Sequence, residues 1–357
     1  MRGKVNRCEG IAGMVKRKTG IGKKLSAIVS ILVVTIFCVS CGKGQEAIAS
    51  IPEEKKLVIY TSHKEEIYTP IIKEFEERTG IWVELHTGGT SELLEEIQAD
   101  DGEFICDIMF GGGVESYSAC RECFDTYVCV RNDSIKEAYR SEDGSYTPFT
   151  ELPIVFIYNN KLVDASQAPT SWQELFYETW KGNIAFGDPL KSGSSYTILA
   201  TMIEVMGMEP EVTLRQFAKA LDYNVSRGSG EAVEEVSSGV RAIGLTLEET
   251  ALMAIAKGAD ISIVYPKDGT SAVPDGCAIV RGAKHRENAE KFIEFITEDD
   301  VQQLTVDRLY RRSVLEEIET PADTEVKIID FDVEWAGTHK EEILNLWTEI
   351  MERYGEE

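Results

Sequence analysis

Positive charge is what this chain has least of. Its 357 residues carry 37 Lys and Arg against 62 Asp and Glu, a formal net charge of −25 at pH 7. Surfaces that hold nucleic acid or anionic lipid need clustered Lys and Arg, so neither is expected as a partner. The basic residues Arg2, Lys4, Arg7, Lys16, Arg17, Lys18, Lys23 and Lys24 all precede Cys41, with only Glu9 against them, which leaves the remainder more acidic still. Histidine is scarce, with four in all. The apolar run from Ala27 to Val39 falls short of the ~20 residues that a membrane-spanning helix needs. The signatures G-x-S-x-G, H-E-x-x-H and the phosphate loop are missing, which removes the usual sequence marks of a hydrolase or nucleotide enzyme. No repeat of 20 to 50 residues is visible.

Cysteine is also too thinly spread for a zinc module. Beyond Cys41 there remain Cys106, Cys120, Cys123, Cys129 and Cys277, and Cys120-x-x-Cys123 is the one close pair, with no His beside it. Structural zinc needs two such pairs or a Cys/His set, so no metal is expected. A local disulfide among Cys120, Cys123 and Cys129 and a set of free thiols both fit this spacing.

What is present begins with a secretory layout: a basic start at Met1 or Met14, the short apolar run, then Ser40-Cys41-Gly42. Val39-Ser40-Cys41-Gly42 resembles a bacterial lipobox, although Cys38 stands where that pattern usually has Leu. The resemblance implies cleavage before Cys41 and a lipid on its thiol. Residues 1–41 are therefore expected to be a lipoprotein signal peptide, and the small, polar, patternless stretch 42–54 a tether.

The body then repeats one motif. Leu57 to Tyr60 forms an apolar strand that ends in Thr61-Ser62-His63, and the Ile67, Ile71, Ile72, Phe75 rhythm predicts a helix closing at Gly80. Ile81 to Leu85 leads into Gly89-Thr90-Ser91 and a second helix, and Asp107 to Phe110 leads into Gly111-Gly112-Gly113. Three strand, small-residue turn, helix units imply an open parallel α/β sheet, whose ligands bind beyond the carboxyl ends of the strands. The three turns then share one rim. A second set follows the strand Pro153 to Asn159, with further strands at Asn183 to Phe186, Arg241 to Leu245, Ile261 to Val264 and Gly276 to Val280. The expected fold class is α/β, two lobes facing across a cleft. Lobe one comprises residues 55–152 and 272–357, the helical tail returning to cover it; lobe two comprises 153–271. Pro153 and Val273-Pro274 mark the hinge.

The stretch Gly187 to Met206 carries the strongest site signal. A strand ends in a Gly, Asp, Pro and Ser loop and a helix follows, so Ser192, Gly193, Ser194, Ser195 and Tyr196 would present hydroxyls and N–H groups at the positive end of a helix dipole. An ordinary Ser N-cap gives the same pattern. Thr90 and Ser91 carry the same two readings. Ser229 in Gly228-Ser229-Gly230 is a further candidate in lobe two.

The order of these segments is that of a known family. LVIYTSHKEEIYTPIIKEFEERT (57–79), GDPLKSGSSY (187–196), AIGLTLEE (242–249), SIVYPKDGTSAVPDGCAIVRGAKHRENAEKFIEFI (262–296) and LYRRSV (309–314) resemble extracellular solute-binding proteins of bacterial ABC importers. The subgroup is the one that includes ferric-ion, thiamine, phosphonate and hexose-phosphate binders. The resemblance implies a two-lobed periplasmic-binding-protein-like (type II) fold that closes on a small solute and delivers it to a membrane permease, as a monomer without cofactor. It makes His63 a contact, since ferric-ion binders use a histidine in the similar segment. Those binders also carry adjacent tyrosines where this chain reads Thr246-Leu247-Glu248. Without them a hard ferric ion lacks its phenolate ligands. The resemblance therefore favours a phosphorylated sugar or phosphonate, with Thr246 and Glu248 in the cleft. Glu248 reads equally as a carboxylate in the first turn of a helix, and Arg311-Arg312 as a charge pair either solvated or turned toward an anion.

Two other functions compete. An extracellular phosphoesterase would use Ser62 with His63, but neighbouring residues rarely bring a hydroxyl onto the adjacent imidazole. A sensor subunit would share the same cleft and differ only in its membrane partner.

Overall fold

The computed structural model describes residues 51–99, 106–319 and 326–354. Residues 1–41, with Cys41, and residues 42–50 of the tether lie outside them. Among the described residues no helix is long and apolar enough to cross a membrane.

The first sheet starts as the periodicity predicts. Strand β1 (Lys56–Thr61) pairs in parallel with β2 (Trp82–Thr87) and β3 (Ile108–Gly113). Helices α1 (Glu65–Thr79), α2 (Thr90–Ala99) and the short α3 (Val114–Ala119) follow the three strands in turn. Gly80 closes α1 in the left-handed conformation (φ +66°), a backbone state that costs glycine little. Strands β4 (Phe124–Asp125) and β5 (Thr147–Glu151) complete the N-terminal share of this sheet.

After Leu152-Pro153 the chain enters a second sheet at β6 (Ile154–Asn159). There follow β7 (Ile184–Ala185), α4 (Gly193–Met206), α5 (Pro210–Ala220), α6 (Ser229–Ser238), β8 (Ile243–Leu247), α7 (Glu248–Ala256) and β9 (Ile261–Val264). This sheet has the order β7-β8-β6-β9, with β6 antiparallel to both neighbours. It is mixed, because β6 enters it directly from the first sheet rather than through a helical crossover. The chain returns through β10 (Pro274–Val280), then α8 (Arg286–Ile296), α9 (Asp299–Leu309), β11 (Arg312–Ser313), α10 (Val333–Thr338) and α11 (Lys340–Tyr354). The first sheet reads β11-β5-β10-β3-β1-β2, with β4 beside β10. Thr270 Oγ1 donates to the Ile154 carbonyl and Ile154 N to the Ser271 carbonyl, so the two crossing segments run side by side.

Each sheet has its own core. Leu57, Ile71, Phe75, Phe110, Phe149 and Phe292 bury one; Trp172, Phe186, Phe217, Leu245 and Trp347 bury the other. The tail corrects one expectation. Helix α8 covers the first sheet, but α11 sends Ile343, Trp347 and Ile350 into the second core, with Trp347 6.1 Å from both Phe186 and Phe217. A helical apolar rhythm shows that one face is buried without saying against what.

Candidate functional site

Between the sheets lies a cavity of about 330 Å³. Its wall takes residues from the N-terminal ends of five helices: Lys64 before α1, Thr90 of α2, Gly193 and Ser194 of α4, Ser229 and Gly230 of α6, and Glu249 and Thr250 of α7. Each such end carries unsatisfied N–H groups and the positive pole of its dipole.

Close contacts sort the wall into two groups. In the first, Thr90 packs between the glycines of two elements: a Cβ on Gly112 (φ +88°) would stand 2.5 Å from Thr90 Cγ2, and one on Gly193 would stand 3.2 Å from Thr90 Oγ1. A Cβ on Gly187 would meet both Ser195 Oγ (2.6 Å) and Ser229 N (2.7 Å), which places the α4 and α6 starts together. Ser192 caps α4, its hydroxyl accepting from Ser195 N at 3.3 Å and lying 3.1 Å from Ser194 Oγ. Across the cleft Thr197 Oγ1 donates to Glu115 Oε1 at 2.9 Å, joining α4 to the first turn of α3; burial pushes that carboxyl upward from its ordinary range. Gly112→Ala is expected to cost about 1–3 kcal/mol, since both the Thr90 clash and the positive φ oppose it. A urea midpoint equal to wild type would show that α2 yields freely.

The second group is ionic. Asp275 Oδ1 accepts from Thr150 N and Oγ1, both at 2.7 Å. Its Oδ2 accepts from His63 Nε2 at 2.6 Å and from Arg311 Nη1. Burial alone would raise the Asp275 carboxyl, but the Arg311 charge and the His63 and Thr150 hydrogen bonds outweigh it and hold it at about 2. Burial pushes His63 below its usual range against the pull of Asp275. An ionised Asp275 fixes the tautomer: Nε2 carries the proton and Nδ1 is an acceptor. Glu249 Oε1 accepts from Thr250 Oγ1 at 2.6 Å and stands 4.0 Å from Arg311 Nη2, while Lys64 Nζ donates to Thr250 Oγ1 at 3.3 Å. His63 Nδ1, Glu249 Oε2 and Arg311 Nε are buried without a hydrogen-bond partner. Ser62 therefore makes no hydrogen bond to the free His63 nitrogen, and the pair does not form an activated nucleophile.

Among the residues expected from sequence, Ser62, His63, Gly89, Thr90, Gly112, Ser192, Gly193, Ser194 and Ser229 line the cavity. Six do not. Thr61 is fully buried and its hydroxyl donates to the Phe110 carbonyl at 2.7 Å, tying β1 to β3. Ser91 stands on α2 outside the wall. Ser195 lies behind the wall with 1 % of its surface exposed. Tyr196 is buried with its hydroxyl on the Ala336 carbonyl and Lys340 over its ring. Thr246 is buried within β8. Glu248 is held by Arg312, whose Nε and Nη2 each reach it at 2.7 Å, and by the Tyr265 hydroxyl. Lys64, Glu249, Thr250 and Asp275 were not singled out by sequence, and Arg311 lines the cavity rather than being solvated. An Asp directly after Val-Pro at the start of a hinge strand was the available signal for Asp275.

The wall has glycine N–H groups, hydroxyls and two lysines but no tyrosine. Among the described residues no group of three or more His, Cys, Asp and Glu is assembled as a metal site requires.

A family model described as bacterial extracellular solute-binding protein matches residues 118–333. Iron uptake protein A1 of Synechocystis sp. is 27% identical over 298 residues, covering 77% of this chain and 81% of the relative. A putative 2-aminoethylphosphonate-binding periplasmic protein of Salmonella typhi is 21% identical over 260 residues, covering 71% and 75%. Among solved structures, the periplasmic binding protein AfuA from Actinobacillus pleuropneumoniae, with fructose-6-phosphate bound, superposes with a TM-score of 0.76 at 21% identity, over 83% of this chain and 98% of that one. The ferric binding protein from Campylobacter jejuni gives 0.75 at 21% identity, over 82% and 99%. These likenesses show the two-lobed binding-protein fold.

Proposed function

The chain belongs to the family of bacterial extracellular solute-binding proteins, and from that premise we propose that it is the substrate-binding component of an ABC importer, capturing a small anionic organic solute by lobe closure. The solute class is a phosphorylated sugar or a phosphonate. One observation carries this reading: the N-terminal ends of five helices, with the hydroxyls of Ser192, Ser194, Ser229 and Thr90, meet at one cavity between the lobes. Such ends bind phosphate and carboxylate groups through N–H donors and the dipole. A volume near 330 Å³ suits a small ligand. Closure joins both rims through the solute, and the closed form is the one a permease would accept. The protein would act extracytoplasmically as a monomer, anchored by lipid at Cys41, and would leave its solute unchanged, in keeping with a family of binding proteins.

A ferric-ion cargo is the second reading, favoured by the likeness to Iron uptake protein A1. A panel of hexose phosphates, phosphonates and ferric ion, followed by thermal shift and by the visible spectrum, separates the two. Stabilisation by the phosphorus compounds supports the proposal. A tyrosinate charge-transfer band with ferric ion and no response to the phosphorus compounds would overturn it. The double substitution Ser194→Ala and Ser229→Ala should weaken anion binding by about tenfold or more, at roughly 1 kcal/mol per lost hydrogen bond, with little change in melting temperature. Unchanged affinity in calorimetry would remove the hydroxyl wall from the site.

A further inference from the structure

Cys120-x-x-Cys123 has no part in the cavity, and its place in the fold decides which cysteine can pair with which. Cys129 packs with Phe149 and Ile296 in the first core, whereas Cys120 is buried in a separate cluster with Tyr117 and Phe124, and Cys123 packs against that same cluster. Alternate residues of β3 and β10 divide between the two: Ile108, Phe110 and Ile279 face Cys129, while Met109, Ala278 and Val280 face Cys120. Successive side chains of a strand point to opposite faces, so the sheet itself stands between Cys129 and the other two. Cys120 ends α3 and the turn Arg121–Cys123 follows, with Cys123 N donating to the Cys120 carbonyl at 2.9 Å. A tight turn of this kind brings positions i and i+3 onto one side, about 6 Å apart along its axis. That separation falls within the roughly 4.4–6.8 Å between Cα atoms that a disulfide spans. Both cysteines are thiols in the structure and lie beside each other. They differ in access, since Cys120 has 2 % of its surface exposed and Cys123 is half-buried.

We propose that Cys120 and Cys123 are an oxidisable pair that forms a disulfide by exchange with a small-molecule or protein disulfide. The half-buried Cys123 thiolate attacks one sulfur of the oxidant, which makes a mixed disulfide and releases one thiolate. Cys120 then attacks the Cys123 sulfur, the bond to the oxidant breaks, and a second thiolate leaves. Two cysteine thiols are oxidised, the oxidant is reduced to two thiols, and the two protons given up by the cysteines pass to the departing thiolates. Burial first, then for Cys120 the neighbouring thiol, and Glu122 raise both thiols, Cys120 to about 12, against the pull of Lys340 on Cys120 and of Arg281 on Cys123. The thiolate is the reacting form, so exchange is slow at neutral pH, which suits a structural link rather than a catalytic thiol. The bond would fix the end of α3 where Arg121 meets Asp143 at 3.0 Å and Glu334 of α10 at 2.9 Å.

The test exposes the full chain to oxidised glutathione at about pH 8.5 without denaturant, followed by unfolding, alkylation and digestion with trypsin. Trypsin cuts after Arg121, so the disulfide should join residues 79–121 to residues 122–131. Fragmentation should place the link between Cys120 and Cys123, with Cys106 and Cys129 each carrying an alkyl group. In Cys120→Ala the link should be lost and glutathione should stay on Cys123, because the second step has no nucleophile; the wild type decides alone if that variant does not fold. Complete alkylation of all four cysteines in the wild type overturns the proposal. So does a link through Cys106 or Cys129, glutathione left unresolved on Cys123 of the wild type, or a link that survives in Cys120→Ala.

Discussion

Asp275→Ala is expected to destabilise the protein by about 3–5 kcal/mol, the range found when one partner of a buried ion pair is removed. The substitution deletes the acceptor of Arg311, of His63 and of both Thr150 donors at once. Arg311 has 5 % of its surface exposed and lines the cavity. Its charge would remain with Glu249 at 4.0 Å as its nearest counterion. A typical domain has only about 5–15 kcal/mol in hand, so urea denaturation should show a markedly lower midpoint. Pairing Asp275→Leu with Arg311→Met should recover much of the loss, because an apolar pair leaves no stranded charge. A loss below about 1 kcal/mol for Asp275→Ala would mean that the cluster is solvated and its burial energetically empty.

The second large effect is acid lability. Asp275 ionises at about 2 in the folded protein, against roughly 3.9 for an unfolded aspartate. Its contribution is complete above the unfolded value and is lost as pH falls through the folded one, amounting to about 2.6 kcal/mol. His63 acts with the same sign at milder pH. Its folded pKa lies below the ordinary 6.5 because burial disfavours the imidazolium, so the unfolded chain takes up the proton first and stability declines as pH falls below about 6.5. Glu115, raised by burial, runs the opposite way, and so does the relief of repulsion in a chain of net charge −25. The comparison that isolates the cluster is wild type against His63→Gln, followed by urea midpoints at pH 8, 6 and 5. The wild type should lose ground to the variant as pH drops. A constant difference between the two would show that His63 keeps its ordinary pKa.

Much of this architecture was legible because strand-ending turns are written in glycine and hydroxyl residues. The turns at Ser62-His63, Gly89-Thr90, Gly111 to Gly113, Ser192 to Ser194 and Gly228 to Gly230 all reach the cavity, as parallel strands with following helices require. The error at Glu248 came from register. The sequence reading ended the strand at Leu245, whereas β8 continues to Leu247, so Glu248 opens α7 and turns to Arg312 while its neighbour Glu249 takes the cavity. One residue is enough, since successive positions near a helix start point about 100° apart. The Asp275, Arg311 and His63 cluster was hidden for another reason. Its members come from three distant segments that only the crossing of the chain between sheets brings together, and no local rhythm marks them. The destination of α11 was hidden in the same way.

That last helix has a further consequence for how the molecule comes into being. Leu57 shares its interior with Leu315, and Phe186 shares the other with Ile350, so both halves wait on segments made late. A nascent chain emerging from the ribosome, or threading a pore amino end first, therefore has no finished half to settle into until nearly its whole length is free. Packing is completed only near the end: Val233, Val236 and Ala251 cover one face of the second sheet early, whereas the other face stays partly open until Trp347 arrives.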